Sequence, residues 1–502
     1  MALRPRVGPV EVDHLLALVA AGPDSRVRRN ALRVLGRVAD SPRGSRAYEV
    51  TRRARGAAFR ETLRVTLQHE RDPYALQDAI WLLDSFFFPS DHSAADLERI
   101  AADESADPLL RYRAARARAR LIFPPLSPLT SNEQAFIRSG LASDAAGVRA
   151  AAAEAIARLR DVRLTAELRA ELRAWLAQAA LAEPPLQLPP AAPDPRGSAG
   201  LISGSLERPP GLLAARAAIA RAEDRLDGGD HVARLRQEYE NLALPYLIEQ
   251  GVITLRGGLP EVELWILLAR VEQTIDLFAQ IVGSELNRPM PGEERPLRVL
   301  IFPTQESFHD YLLAFTNLSG TIDGVYIESE ATIYTSARRP DQSEHRLEVS
   351  VQHEVAHHLT ATRLFPGAWK TPGYHGEPKG WADEGLAELL AGAVPDGAGG
   401  LRPALQPIKL ERLCALSLPP DLNTLLTQRD GYDRYGRFDY DSAWALTYFM
   451  YVEHPQALRD LYRSFRSGAY RSAEWPRIAG IADRTAFEAA WHAALAGWCA
   501  AR

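Results

Sequence analysis

Residues 353–357 read HEVAH, and 27 positions past the second histidine Glu384 stands in WADEGLAELLAG. If the two stretches form one site, the chain must bring two helices together at one point. No other feature constrains its fold as tightly. LEVSVQHEVAHHLTATR (347–363) spaces Leu347, Val351, Val355 and Leu359 four apart, which predicts one packed helical face. His353 and His357 share that spacing and point the same way from adjacent turns. Two neutral imidazoles so placed can bind one Zn²⁺ through ring nitrogens. Glu354, beside the first histidine, is placed to act as general base on a water. A catalytic zinc keeps three protein ligands and one open position. GWADEGLAELLAG opens on a helix-starting glycine, so Glu384 falls in the first turns and Glu388 one turn further on the same face. Glu384 is the candidate third ligand. Glu388 is the candidate to hydrogen-bond a ligating imidazole and fix its orientation. HEVAH alone also occurs on ordinary surface helices, and the second stretch is what favours a metal site. His358 and Trp381 are expected to pack rather than ligate.

The remaining sequence sets the frame. At 502 residues the chain is too long for one core and fits two or three domains. A net charge of −5 with scattered Lys and Arg argues against nucleic acid or an acidic membrane surface as main partner. No apolar run approaches the roughly 20 residues that span a bilayer. Glu11, Asp13 and His14 interrupt the apolar start, so it reads poorly as a signal peptide. The compartment stays open between a cytoplasmic protein and a mature exported one. With only Cys414 and Cys499, no disulfide framework is expected, and free thiols are at least as good a reading as one bridge.

Residues 1–182 are rich in Ala, Arg and Leu and read as helix. DSRVRRNALRVLG, DPYALQDAIWLL, DPLLRYRAARARARLI and DAAGVRAAAAEAIARL begin at Asp24, Asp72, Asp107 and Asp144, each with an expected aspartate N-cap. Their spacing is near that of HEAT- or armadillo-type helix pairs, with an unrepetitive bundle as the alternative. Residues 183–210, dense in Pro, Gly and Ser, form a linker. Residues 211–502 read as α+β: RVLIFPTQESFHDYLLAF as strand then helix, GVYIESEATIYTS as a hairpin or two strands, and mostly helix after Gly380.

HExxH followed by W-x-x-E-G-x-A-E resembles the gluzincin metallopeptidases. GVYIESEATIYTSARRPDQSEHRLEVSVQHEVAHHL, FPGAW, EGLAELLAG and YGRFDYDSAWALTYFMY are similar to the bacterial collagenases in particular. The resemblance implies a mostly helical α+β chain: a HEAT-like α-solenoid activator domain, then a thermolysin-like gluzincin peptidase domain with a small mixed sheet and an active-site helix. Its N-terminal subdomain would end near residue 384. By position it implies zinc ligands His353, His357 and Glu384, the base Glu354, and Tyr440 as oxyanion donor. Tyr432, Tyr435 and Tyr448 stand nearby in the sequence. It further implies a calcium ion held by Glu328 with carbonyls near Phe365 and Gly367. The strand around Thr332–Thr335 would pair with an extended polypeptide substrate, with Gly324, Thr332 and Tyr334 in contact with it. Three departures point away from native collagen as the substrate: Asp323-Gly324 in place of paired glycines, no accessory domain before Arg502, and no secretion signal. Two other readings are an aminopeptidase, disfavoured by GVYIES where an amine-capturing G-x-M-E-N would stand, and a helical scaffold carrying a silent peptidase domain.

Overall fold

In this computed structural model the described residues are 9–39, 56–83, 91–122, 129–159, 164–186, 188, 211–316, 318, 322–337, 347–365, 379–416, 419–427 and 440–501. The linker lies almost entirely outside them, as do Gly367, Tyr432 and Tyr435. The chain divides into two compact units: residues 1–188, 194–239 and 309–321, and residues 189–193, 240–308 and 322–502. The architecture is mostly helical α+β, with one small mixed sheet.

The first unit is built from helices that pack in consecutive pairs. Pro9–Ala21 lies on Ser25–Ala39, Gly56–His69 on Pro73–Leu82, Asp91–Ala102 on Pro108–Leu121, Ser131–Leu141 on Ala146–Ala157, and Ala166–Ala182 on Leu212–Asp227. The second member of each pair also packs on the second member of the next. Ala215, Ala218, Ile219, Ala222 and Leu226 of Leu212–Asp227 join the first unit's core, because alanines let this helix lie close against Ala146–Ala157.

The recurrent aspartates act at the helix starts. Asp72 accepts from the Ala75 N–H, Asp107 from Leu109 and Leu110, and Asp24 from Val27. Asp144 departs from this pattern: Ala145 takes the cap position, and Asp144 receives the Arg111 guanidinium at 2.8 Å. That contact is one rung of a polar ladder that the sequence reading did not anticipate. Arg28 reaches Glu70 at 2.6 Å, Gln77 reaches Asp107 at 3.2 Å, and Arg149 reaches Glu183 at 3.1 Å. Each rung ties a residue of one pair's second helix to the segment joining the two helices of the next pair.

The second unit holds a five-stranded sheet in the order β1 (Tyr246–Gln250), β2 (Ile253–Gly257), β3 (Leu297–Phe302), β5 (Thr332–Ser336), β4 (Gly324–Ile327). β2, β3 and β5 run parallel, while β1 and β4 are antiparallel to their neighbours. The central strand β3 is a mostly apolar run, with Leu297, Val299, Leu300, Ile301 and Phe302 all buried. Leu347–Arg363 packs against β4 and β5, and Glu261–Val282 packs beside it. Gly380–Ala391 sits between Leu347–Arg363 and Tyr440–Glu453. No helix among the described residues is long and apolar enough to cross a membrane.

Cys414 and Cys499 are bonded, with Cα atoms 5.8 Å apart, so the free-thiol reading does not hold. Proximity in sequence gave no hint, because the bridge closes across 85 residues, from the end of Pro407–Cys414 to the C-terminal helix Arg484–Ala500. Closing so long a loop removes disorder from the unfolded chain worth about 4 kcal/mol. Replacing both cysteines by serine is expected to lower unfolding stability of this unit by about that amount, measured by urea titration. An unchanged midpoint and slope would show that the bridge contributes nothing.

Candidate metal centre

Packing brings the two sequence motifs together as required. Val351, Val355 and Leu359 bury one face of the Leu347–Arg363 helix under the sheet, which turns His353 and His357 toward Gly380–Ala391. That helix comes close to Tyr440–Glu453 because residue 385 lacks a side chain: a Cβ there would meet Thr447 Oγ1 at 2.2 Å and the Ala443 carbonyl at 2.6 Å.

His353 Nε2 and His357 Nε2 are 3.1 Å apart, and Glu384 Oε2 lies 3.4 and 3.5 Å from them. A tetrahedral ion with bonds of about 2.0–2.1 Å sets its ligand atoms about 3.3–3.4 Å apart, so this triangle matches one face of a zinc site. Glu384 Oε2 is buried with no hydrogen-bond partner. A buried carboxylate oxygen left without a donor is costly, and a cation shared with the two rings would satisfy it. The protonation tendencies agree. Burial disfavours charge on His353, yet the adjoining Glu384 and the Glu388 charge leave it above its ordinary value. At His357 the charges of Asp383 and Glu384 outweigh burial and raise it well above. Burial would raise Glu384 too, but His357 and then His353 hold it far below the usual carboxylate range. Two imidazole nitrogens and a carboxylate oxygen in this arrangement fit Zn²⁺.

Each imidazole is met on its far side. His357 Nδ1 lies 3.2 Å from Asp383 Oδ1, which also accepts from Thr360 at 2.7 Å. His353 Nδ1 is 3.7 Å from Glu388 Oε1, and Glu388 Oε2 is 2.9 Å from Lys409 Nζ. Glu388, the candidate partner, approaches its ring without reaching hydrogen-bonding distance, whereas Asp383, not singled out in the sequence, stands next to Glu384 and reaches the other ring. Tyr440 starts its helix with its ring 6.5 Å from that of His353. Tyr448 packs instead between Trp444 and Trp498.

Glu354 is buried on the sheet side of the helix, where its Oε2 accepts from the Tyr326 N–H at 2.7 Å. Burial raises its pKa, against the attraction of His353 and His357. Gly324 makes room for it, since a Cβ at 324 would sit 3.2 Å from Glu354 Cγ. The phenol of Tyr326 lies 3.1 Å from His358 Nδ1. Burial, then the charges of Arg363 and Arg295, lower His358 to about 3, so the ring is neutral and shares a hydrogen bond with the phenol. Tyr326 thus joins β4 to the helix through both main chain and side chain.

Two expectations are corrected. β5 is not an edge, because β3 and β4 flank it. Thr332 and Tyr334 are fully buried, with the Tyr334 hydroxyl donating to Glu330 at 2.5 Å, so neither side chain is placed to touch a substrate. The outer strand on this side of the sheet is β4, which contains Gly324. Glu328 is buried, but its surroundings do not fit calcium. Arg295 donates to the Glu328 carbonyl at 2.6 Å and lies 3.7 Å from its carboxylate and 3.0 Å from Glu293. A guanidinium thus lies against both the carbonyl and the carboxylate of Glu328, where a cation would bind, and Gly367 lies outside the described residues.

The collagenase family model, Peptidase M9, matches residues 215–491. The chain is 26% identical over 226 residues to collagenase ColA of Clostridium perfringens, a match covering 44% of this chain and 19% of that protein. It is 25% identical over 258 residues to collagenase ColT of Clostridium tetani, covering 48% of this chain and 24% of the relative. Collagenase ColQ1 of Bacillus cereus is 24% identical over 242 residues, covering 46% and 24%. The matches thus span about a quarter or less of the length of these relatives.

Replacing His357 or Glu384 by Ala is expected to abolish stoichiometric zinc binding, while Glu354→Gln keeps it. Asp383→Asn should weaken zinc about 10–100-fold in a chelator competition. Stoichiometric zinc in Glu384→Ala would overturn the site. Protonated imidazoles cannot ligate, and both rings are raised above 6.5 without a cation. Zinc affinity should therefore fall as pH drops from 8 to 6, by about tenfold per pH unit for each proton displaced. A flat profile over that range would contradict the assignment of the histidines.

Proposed function

The chain belongs to the collagenase family of peptidases, and on that premise we propose that it is a zinc-dependent endopeptidase cutting collagen-like, gelatin-like or other extended polypeptides. The observation that carries this reading is the triangle of His353, His357 and Glu384 with Glu354 intact beside it. Zinc held there would polarise the scissile carbonyl and make an adjacent water more acidic. Glu354, raised by burial, is a stronger base than an exposed glutamate and would take the proton of the attacking water. It would then deliver that proton to the leaving amine. Tyr440, near His353, would donate its phenolic hydrogen to the oxyanion.

β4 is the strand on which an extended substrate would lie, adding an antiparallel neighbour to the sheet. The Tyr326 N–H that now bonds Glu354 points off the ladder toward that position. The paired helices of the first unit support a HEAT-like role in presenting a long polypeptide. The disulfide favours an oxidising compartment, and we place the enzyme outside the cytoplasm on that ground.

Purified zinc-loaded protein should cleave gelatin or a quenched collagen-like peptide, and a chelator should stop it. Glu354→Gln should lose at least about 10³-fold in kcat/KM, and Tyr440→Phe about 10²-fold, with zinc content unchanged. Equal cleavage by Glu354→Gln and wild type would sink the mechanism. Failure of the zinc-loaded wild type to cut any extended peptide would sink the reading itself.

A further inference from the structure

The helix Pro407–Cys414 carries two cations toward the metal centre that the sequence did not single out. Lys409 Nζ is 2.9 Å from Glu388 Oε2 and 3.7 Å from Asp441 Oδ1, with only 13% of the lysine side chain exposed. One turn on, Arg412 holds Asp441 in a two-point pair at 2.7 and 2.8 Å. This short helix is fixed at both ends. Gln406, at its N-cap, donates to the Glu388 carbonyl at 2.6 Å, and Cys414 is bonded to Cys499. Glu388 is therefore gripped twice, at its carbonyl and at one carboxylate oxygen. Its other oxygen faces His353 Nδ1.

We propose that Lys409 is a positioning residue for the metal centre: it pins the Glu388 carboxylate so that one oxygen stays turned to His353. The proposal rests on the peptidase reading above. A glutamate has three rotatable bonds, and in a partly buried site it turns toward whichever positive group is nearest. Without Lys409, the carboxylate would lose its ion pair on the Oε2 side and could turn its Oε1 away from the 3.7 Å approach to His353 Nδ1. Lys409 lies beside Glu388 and Asp441, both less than a fifth exposed, so its ion pairs are shielded from water and are more directional than a surface pair. The lysine also joins the glutamate to Asp441, the residue after Tyr440. The orientation of the ligand and the start of the tyrosine helix thus share one anchor.

The test is a zinc-affinity cycle, read by competition with a chromophoric chelator and without substrate. The proteins are wild type, Lys409→Met, Lys409→Arg, Glu388→Gln, and the Met/Gln double variant. Lys409→Met and Glu388→Gln should each weaken zinc about tenfold or more. The double variant should be no weaker than Glu388→Gln alone, because the lysine acts through the glutamate. Lys409→Arg should recover most of the loss. If Lys409→Met does not fold, Lys409→Gln takes its place in the same cycle. Zinc bound by the lysine variant as tightly as by wild type, or more tightly, would overturn the proposal, as would losses that multiply in the double variant. A lysine that only stabilises the fold would lower the unfolding midpoint and leave zinc affinity alone. An inactive wild type with this affinity pattern would instead count against the peptidase reading.

Discussion

Glu384 Oε2, buried without a hydrogen-bond donor and 3.4–3.5 Å from two imidazole nitrogens, is the constraint from which the second unit can be understood. Such an atom is tolerable only with a positive partner. Placing it requires two helices at close approach, and a third must back them. Gly385 makes this packing fit: any side chain there would press on the Ala443 main chain and push Tyr440–Glu453 away. The packing that creates the ligand triangle is the same packing that sets Tyr440 near it.

Around that atom the charges are arranged unevenly. Asp383, Glu384 and Glu388 all come from one helix and present three carboxylates to two imidazoles. That excess of negative charge favours a divalent cation and also favours protons, which explains why both histidines are raised. Lys409 moderates the excess at Glu388 but not at Asp383, whose second contact is a neutral threonine hydroxyl. His353 and His357 thus sit in different fields despite equivalent sequence positions. At Glu354, bonded to the β4 main chain, burial outweighs the attraction of His353 and His357 and raises its pKa.

What the sequence made legible follows the same division. The candidate ligands were readable because helical spacing fixes which side chains share a face, and His353, His357 and Glu384 do meet in space. Lys409 and Asp441 were not readable, since they arrive from helices whose placement depends on tertiary packing. Asp383 was hidden by its neighbour: one residue from a ligand suggests a different direction, yet His357 lies where that direction leads. The strand order failed for a related reason. Both segments of GVYIESEATIYTS are β-formers, and only the crossover from β3 to β5 shows that the later segment is interior. Cys414–Cys499 was invisible because nothing local links two helices that far apart in the chain.

Moving the edge from β5 to β4 changes how substrate and base must relate. Had β5 been the edge, substrate pairing and Glu354 would be separate matters. With β4 outermost, the strand that would hold substrate is bonded to the base itself, through the Tyr326 N–H, and to its helix through His358. Alternation along an antiparallel strand turns Gly324 and Tyr326 the same way, so the residue that gives Glu354 room and the residue that bonds it lie on one side. Glu354 in its present position occupies the donor that an added strand would use. An extended polypeptide docking on β4 would compete for that N–H, and the carboxylate released from it would be free to face the ligand triangle.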